Sequence, residues 1–544
     1  MGEGIVEFLY TLTKKERLAI LINTMTKQFR RIFILLISIF SVAGCSGVST
    51  PESQTSAPRA VYAISYKADT HELSIKSINV TPSLAGQNIS PFAGVFQVGN
   101  AVFNGTSVTA PVYITNNDSS GWTGVEMQAY TLASGSATVC DADLGTGWLT
   151  DSPVDGAWGW LFTSGTAGSQ FTIPSNTQSV AREIGFDATS DFAGIVYIYA
   201  DVPVITGIDP VIALTGSTIT LTGYNFSTTQ GAVTVNGVAA TVLTWTASVI
   251  TATVPATATL GNVVVDSGDS HVPYSNPMLF TPFSILANDQ TFATINAPIG
   301  ITTDTSGNLY IANFSNNNIL EVTPSGAIST YSNDPSALIN GPADVAFSPE
   351  GTLYEANSGG NNVIAVPGGA APAFVFAGVG TAPVALAFSG DGQSWPLYVV
   401  NSGDGTISSV ASNGTVTPFA SGFGLPNAVA TDNAGNVYVG DCSSGNGSVD
   451  EINAAGTVTT TVVSGLICPG GIKFDAGGNM YIFDSGSAAI YKYNPNIACG
   501  SKLTTFIQDI STNGDGEFVF SPDRSLLYMT QDSPVNGIIT IPLK

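Results

Sequence analysis

Six short stretches recur through the C-terminal half of the chain: Gly307-Asn308-Leu309-Tyr310-Ile311, Thr352-Leu353-Tyr354, Pro396-Leu397-Tyr398-Val399, Gly435-Asn436-Val437-Tyr438-Val439, Gly478-Asn479-Met480-Tyr481-Ile482 and Leu527-Tyr528-Met529. Their tyrosines stand 44, 44, 40, 43 and 47 residues apart. Each of the first five follows a proline and an alternating run: Pro298-Ile299-Gly300-Ile301, Pro342-Ala343-Asp344-Val345, Pro383-Val384-Ala385-Leu386, Pro426-Asn427-Ala428-Val429 and Pro469-Gly470-Gly471-Ile472. The sixth carries Asp515-Gly516-Glu517-Phe518-Val519 instead. One such unit cannot bury its apolar faces alone, so repetition at this period predicts stacked sheets of about four strands each. Arranged radially they form a β-propeller, and six copies predict six blades over 284–544. The last copy supplies only three strands, at 517–520, 526–530 and 537–543. Its missing outer strand is expected from 283–294, which would remove a free edge and close the ring.

Composition agrees with an all-β chain. Of 544 residues, 44% are hydrophobic, only 10% are charged and 59 are glycine. There is apolar material for several cores, and Gly, Asn, Ser and Thr for many turns. Fifteen Lys+Arg against 39 Asp+Glu give a net charge of −24. Nucleic-acid binding, which needs clustered cations, is excluded on that ground. His71 and His271 are the only histidines, which closes off most histidine chemistry. No Walker A run and no Gly-x-Ser-x-Gly elbow occurs. Residues 61–202 alternate apolar and polar positions between turn clusters, as an antiparallel β-sandwich does. Trp122, Trp158 and Trp160 lie there and admit two readings, a stacking platform for a sugar or ordinary core packing.

Residues 203–283 carry Ile208-Asp209-Pro210, Gly216-Ser217-Thr218-Ile219-Thr220-Leu221-Thr222-Gly223-Tyr224-Asn225-Phe226, Val233-Thr234-Val235-Asn236-Gly237, Trp245-Thr246 and Ile250-Thr251-Ala252-Thr253-Val254-Pro255. This run resembles the IPT/TIG family, an immunoglobulin-like sandwich that commonly serves as a spacer or protein-contact module. Ile219 and Leu221 should point inward, Asn236-Gly237 should form a type I′ turn, and Gly223 should use a positive φ. The six repeats resemble the NHL class, with kinship to streptogramin lyases and gluconolactonases. The lyases of that kinship use a histidine, and 284–544 has none. The gluconolactonases bind a divalent cation through Glu, Asn and Asp at a channel mouth, which makes Ca²⁺ the candidate cofactor here.

Strand direction says where such a mouth would lie. Inner strands start, and second strands end, at the same face. Residues just after the prolines and three after the tyrosines should therefore ring it: Asp344, Asn427 and Asp515, then Asn313, Asn357, Asn401, Asp441, Asp484 and Gln531. These are candidate ligand or metal contacts, or else Asn and Asp residues that satisfy strand ends. Cys442 and Cys468 fall at that same face in neighbouring repeats, and a disulfide between them is expected. Cys140 and Cys499 are left over.

The N-terminal 45 residues look like an export signal. Lys27, Arg30 and Arg31 precede an apolar run at 32–42, followed by Val42-Ala43-Gly44-Cys45. That ending resembles a bacterial lipobox, which implies acylation of Cys45, with 1–24 as an upstream extension. The remainder holds 9 basic and 36 acidic residues, a net charge of −27, so an acyl chain and not charge would hold it at a membrane. By resemblance to enterobacterial sorting, Ser46 implies the outer membrane. Residues 46–60 would be a Ser/Thr/Pro tether. The expectation is a monomeric, lipid-anchored envelope protein whose propeller loops meet a protein or glycan, without catalysis. A cation-dependent lactonase is the alternative.

Overall fold

The computed structural model describes the strands between Ala60 and Tyr199. From Val202 onward it describes everything except 269–274, 333, 369–370, 444–445, 457–458, 497–501, 511–515, 532–534 and 544. Cys45, the tether, both histidines, Cys499 and Asp515 lie outside the described residues. The chain is all-β, with nothing longer than single helical turns among the described residues. It divides into two compact units, 1–203 with 269–274 and 498–500, and the rest of 204–544.

The first unit holds two larger antiparallel sheets and a two-stranded ribbon. One sheet orders Glu72–Ser77, Ala60–Lys67, Phe192–Tyr199, Val125–Ser134 and Ala157–Phe162. The other is built around Ser107–Asn116, where Val108, Ala110, Val112 and Ile114 are buried at every second position. That period-2 pattern is what a strand with one core face requires.

The second unit begins with a sandwich. One sheet runs Val204–Asp209, Thr218–Tyr224, Val249–Thr253, Thr241–Trp245. The facing sheet runs Val238–Ala239, Ala232–Val235, Gly261–Asp266 and then Met278–Asn288. Ile219, Leu221, Phe226, Val235, Ile250, Val263 and Phe280 fill the core between them. Asn236 and Gly237 take φ of 44° and 78°, as a tight hairpin turn demands. Gly223 departs from expectation, because it is absent from the positive-φ positions, which here are Asn225 and Ser227. Its reason is space: a Cβ there would collide with the Val204 carbonyl oxygen and the Phe226 ring.

Met278–Asn288 serves two structures. Residues 278–280 pair with 261–263 of the sandwich. Residues 281–283 pair in parallel with Ile212–Leu214. Residues 284–288 then pair with 537–540 at the end of the chain. A single strand therefore crosses the expected boundary at 283/284. Beyond it, 289–294 forms a loop held by Asp289, whose carboxylate accepts the amides of Thr291 and Thr294 at 2.8 and 2.6 Å.

Five four-stranded antiparallel meanders follow, each in simple chain order. Their first strands are Pro298–Thr303, Pro342–Phe347, Pro383–Phe388, Pro426–Thr431 and Pro469–Phe474. Proline suits that place because the first residue of a strand needs no ladder N–H. A bulge follows each proline, and pairing with the second strand resumes at the fourth residue, Ile301, in the first sheet and at the third residue in the other four. Phe518–Phe520, Leu526–Gln531 and Gly537–Pro542 join 284–288 in a last sheet. The first strands lie side by side from sheet to sheet, and Pro298–Thr303 also touches Phe518–Phe520 and Leu526–Gln531. Apolar clusters fill the wedges, for example Tyr481, Phe483, Phe518 and Met529 between the fifth sheet and the last.

One turn device recurs. Asp304, Asp432 and Asp475 each sit six residues before a repeat tyrosine. In the first of these, Asp304 accepts the Ser306 and Asn308 amides at 2.8 and 2.9 Å, the Asn308 side chain at 2.9 Å and the Tyr310 hydroxyl at 3.3 Å. Asp432 and Asp475 repeat the arrangement with Tyr438 and Tyr481. Burial, reinforced by the neighbouring carboxylates, pushes these three tyrosine hydroxyls far up from their ordinary pKa.

Candidate functional site: an axial cavity with two carboxyls

The first strands converge on a cavity of about 430 Å³. Its wall takes residues from every one of the repeats, among them Ile299, Asp344, Ala385, Asn427, Gly471 and Glu517, with Phe314 and Ser358 at the rim. That volume falls in the usual range for small-molecule pockets.

The tyrosine register gives one ring of equivalent positions, two residues after each proline: Gly300, Asp344, Ala385, Ala428 and Gly471. Glu517 completes it, since Phe518 pairs with Met529 as Ile472 pairs with Ile482. Four of the six are glycine or alanine and two are acids. Gly300 has to be glycine, because a Cβ there would run into the Asp344 backbone and, at 2.7 Å, the Asp344 Oδ1.

The two acids tie sheets together. Asp344 Oδ1 accepts the Val345 amide at 2.7 Å, and Oδ2 accepts the Leu386 amide of the next sheet at 2.7 Å. Glu517 Oε1 accepts the Lys473 ammonium at 2.5 Å, and Oε2 accepts the Ile301 amide at 3.3 Å. Glu517 is also a charged neighbour of Asp344. Burial and then the charge of Glu517 push the Asp344 carboxyl well above the usual carboxylate range, with the Lys473 ammonium opposing the rise. Thr530 completes the support: its hydroxyl donates to the Ile299 carbonyl at 2.5 Å and accepts the Glu517 amide at 2.9 Å.

The expected mouth residues divide. Asp344 and Asn427 line the cavity, although Asp344 lies two residues after its proline and Asn427 one. The residues three after the tyrosines stand at one end of their strands, but their side chains hold incoming loops. Asn313 accepts the Asn296 amide at 2.7 Å and donates to the Thr294 carbonyl at 2.8 Å. Asn357 does the same with Asn340 and Leu338. Asp441 accepts the Gly424 and Leu425 amides, and Asp484 those of Ile467 and Cys468. Asn401 donates to Thr406 and Ser408. Among the described residues, no group of three or more His, Cys, Asp or Glu is placed to hold a metal ion. Cys442 and Cys468 are joined, with sulfurs 2.07 Å apart. In the first unit, Trp158 and Trp160 share a strand opposite Ala129 and Met127, while Trp122 belongs to the separate ribbon with Ile173. Glu517 and Lys473 are the site residues that the spacing argument missed.

Residues 203–282 match the family model described as IPT/TIG domain. The chain contains an IPT/TIG domain. The last strand of this domain, Met278–Asn288, is the one that continues into the sheet formed with Gly537–Pro542. No curated protein matches the chain. Among solved structures, the chain is similar to an auxiliary nutrient binding protein from Bacteroides ovatus, at 13% identity over 62% of this chain and 97% of that one, with a TM-score of 0.38. It is also similar to virginiamycin B lyase from Staphylococcus aureus, at 13% identity over 60% and 99%, TM-score 0.36. A gluconolactonase from Xanthomonas campestris matches at 15% identity over 48% and 89%, TM-score 0.39.

Proposed function

We propose that this chain is an exported, lipid-anchored envelope protein whose two sandwich modules carry a six-bladed propeller that binds a polar ligand without catalysis. The axial cavity carries this reading. Its wall draws on all six repeats, small side chains open it, and polar groups sit at its centre. The disulfide between Cys442 and Cys468 supports an oxidising compartment, as export would provide. Anchoring rests on Cys45 and the apolar run before it. Among the described residues no helix is long and apolar enough to cross a membrane.

Gly470 supplies the test. Its φ is not in the left-handed region, and a Cβ there meets nothing nearer than the Asn427 amide at 3.6 Å. Gly470→Phe should therefore fill the cavity while the chain still folds. Soluble chain from residue 46 onward is screened against a panel of glycans and small polar metabolites beside this variant. Binders lost in Gly470→Phe support the reading, and binders that survive it place recognition elsewhere.

The second reading, a cation-dependent lactonase, draws on Asp344 and Glu517 as two carboxyls in one cavity. It requires one tightly held Ca²⁺ per chain that Asp344→Asn loses, together with hydrolysis of a lactone such as glucono-1,5-lactone.

A further inference from the structure

The residues that follow the repeat tyrosines are Ile311, Glu355, Val399, Val439, Ile482 and Met529, so a glutamate stands once where the other repeats place an apolar side chain. Glu355 lies directly across from Val345 on one neighbouring strand and from Ile364 on the other. Residues paired in this way share a face of the sheet. Val345 and Ile364 belong to the apolar cluster between the first and second sheets, so Glu355 points into that seam. It is 0% exposed, and neither Oε1 nor Oε2 meets a donor.

A second acid reaches the seam from a loop. Asp334 lies in the connection from Ile328–Thr330 to Pro342–Phe347. Its Oδ2 accepts the Ile339 amide at 2.8 Å, and Ile339 packs in the same cluster as Val345, Leu353 and Ile364. The other oxygen, Oδ1, is buried without a partner. Asp334 is also the charged neighbour that acts on Glu355, and among the described residues no cation acts with it. Three carboxylate oxygens are thus withdrawn from water at one seam with no donor to meet them. Buried carboxylates are ordinarily paired or bound to a metal, and hard oxygen donors suit a hard cation.

We propose that Glu355 and Asp334 hold a Ca²⁺ ion in the seam between the first and second sheets. Both oxygens of Glu355 and Oδ1 of Asp334 supply three of its ligands. Water completes the shell, entering past Pro335, Ser336 and Ala337, which are exposed beside the half-buried Asp334. The two carboxylates offset the charge of the ion, and a proton held by Glu355 leaves to solvent as the ion enters. Neither acid lines the axial cavity. The ion fastens the loop at 334–341 to the second sheet, and its first effect is on stability.

The test uses the full-length chain in a non-ionic detergent, stripped with EGTA and dialysed against radioactive calcium in about 0.15 M NaCl, which screens loose binding to the acidic surface. One ion per chain should be retained, and about 1 mM Ca²⁺ should raise the melting temperature above its value in EGTA. Asp334→Asn keeps an acceptor for the Ile339 amide, and should weaken binding about tenfold or more and erase the melting shift. Glu355→Gln should do the same with its fold checked by circular dichroism, and Asp334→Asn decides alone if Glu355→Gln does not fold. Asp344→Asn should retain the ion. An absence of saturable binding overturns the site, and so does saturable binding that survives either Asp334→Asn or a folded Glu355→Gln. Loss of the ion in Asp344→Asn alone also overturns it, and moves the ion to the axial cavity, where the lactonase reading needs it.

Discussion

Asp344 and Glu355 are acids on adjacent strands of the second sheet, close enough that Asp344 pairs with Ala356 and Glu355 with Val345. Both are buried, at 5% and 0% exposure. Their surroundings are opposite. Asp344 lines the cavity and accepts two backbone amides. Neither oxygen of Glu355 has a hydrogen-bond partner, and its neighbour Asp334 also has one oxygen without a partner. Leu353, two residues before Glu355, belongs to the apolar cluster between the first and second sheets, with Val345 and Ile364. Burial and the charge of Asp334 push the Glu355 carboxyl well up, so it stays neutral. Without a bound cation, the pair separates a buried acid that organises a site from one that only costs stability.

The largest effect expected from this contrast is at the axis. Asp344→Ala strands the buried Val345 and Leu386 amides, and should cost about 2–5 kcal/mol in urea denaturation. Asp344→Asn keeps one acceptor in place and should cost less than half as much. Equal losses for the two variants, or no loss, would show that the carboxyl does not tie the sheets.

Glu355 should behave the other way. Without divalent cations, Glu355→Leu replaces an unsatisfied buried carboxyl with an apolar chain of similar size, and should stabilise by about 1–3 kcal/mol. A loss of stability on that substitution would mean the carboxyl has a partner, and would erase the contrast with Asp344.

The repeat was legible because proline and tyrosine recur at fixed places in each unit, and the alternating strands between them separate this period of 40 to 47 residues from helical repeats of similar length. The ring of acids was half legible. In the first repeat the ring position lies ten residues before the tyrosine, at Gly300, and Asp344 lies ten before Tyr354. Glu517 lies eleven before Tyr528, because the turn from Ser521 to Leu526 is one residue longer, and without a proline to mark the start of its strand the expected Asp515 falls two residues before the ring position. Asn313, Asn357, Asp441 and Asp484 were placed at the correct strand ends. The sequence pattern cannot say which way a short polar side chain spends its hydrogen bonds, and theirs go to the loops. The IPT/TIG match ends at 282, and one strand runs straight through that point. Met278–Asn288 changes partners from the sandwich to Gly537–Pro542 without any change in its own composition, since both neighbours ask for the same alternating strand.

The contrast also has a pH signature, and here the two acids act alike. Both carboxyls hold their protons above the ordinary acid range of about 4, so the folded chain keeps protons that the unfolded chain releases. Their contribution to stability is full below about pH 4 and is lost as pH rises toward each folded-state value, by at most about 1.4 kcal/mol per pH unit per group. Urea midpoints measured without divalent cations from pH 4 to pH 8 should fall, and Glu355→Gln should flatten the fall by one proton. Asp344→Asn should flatten it in the same sense, because it removes the other acid that is held above its ordinary range. Parallel curves for wild type and Glu355→Gln would show that Glu355 ionises in the folded chain, and would require a compensating cation beside it.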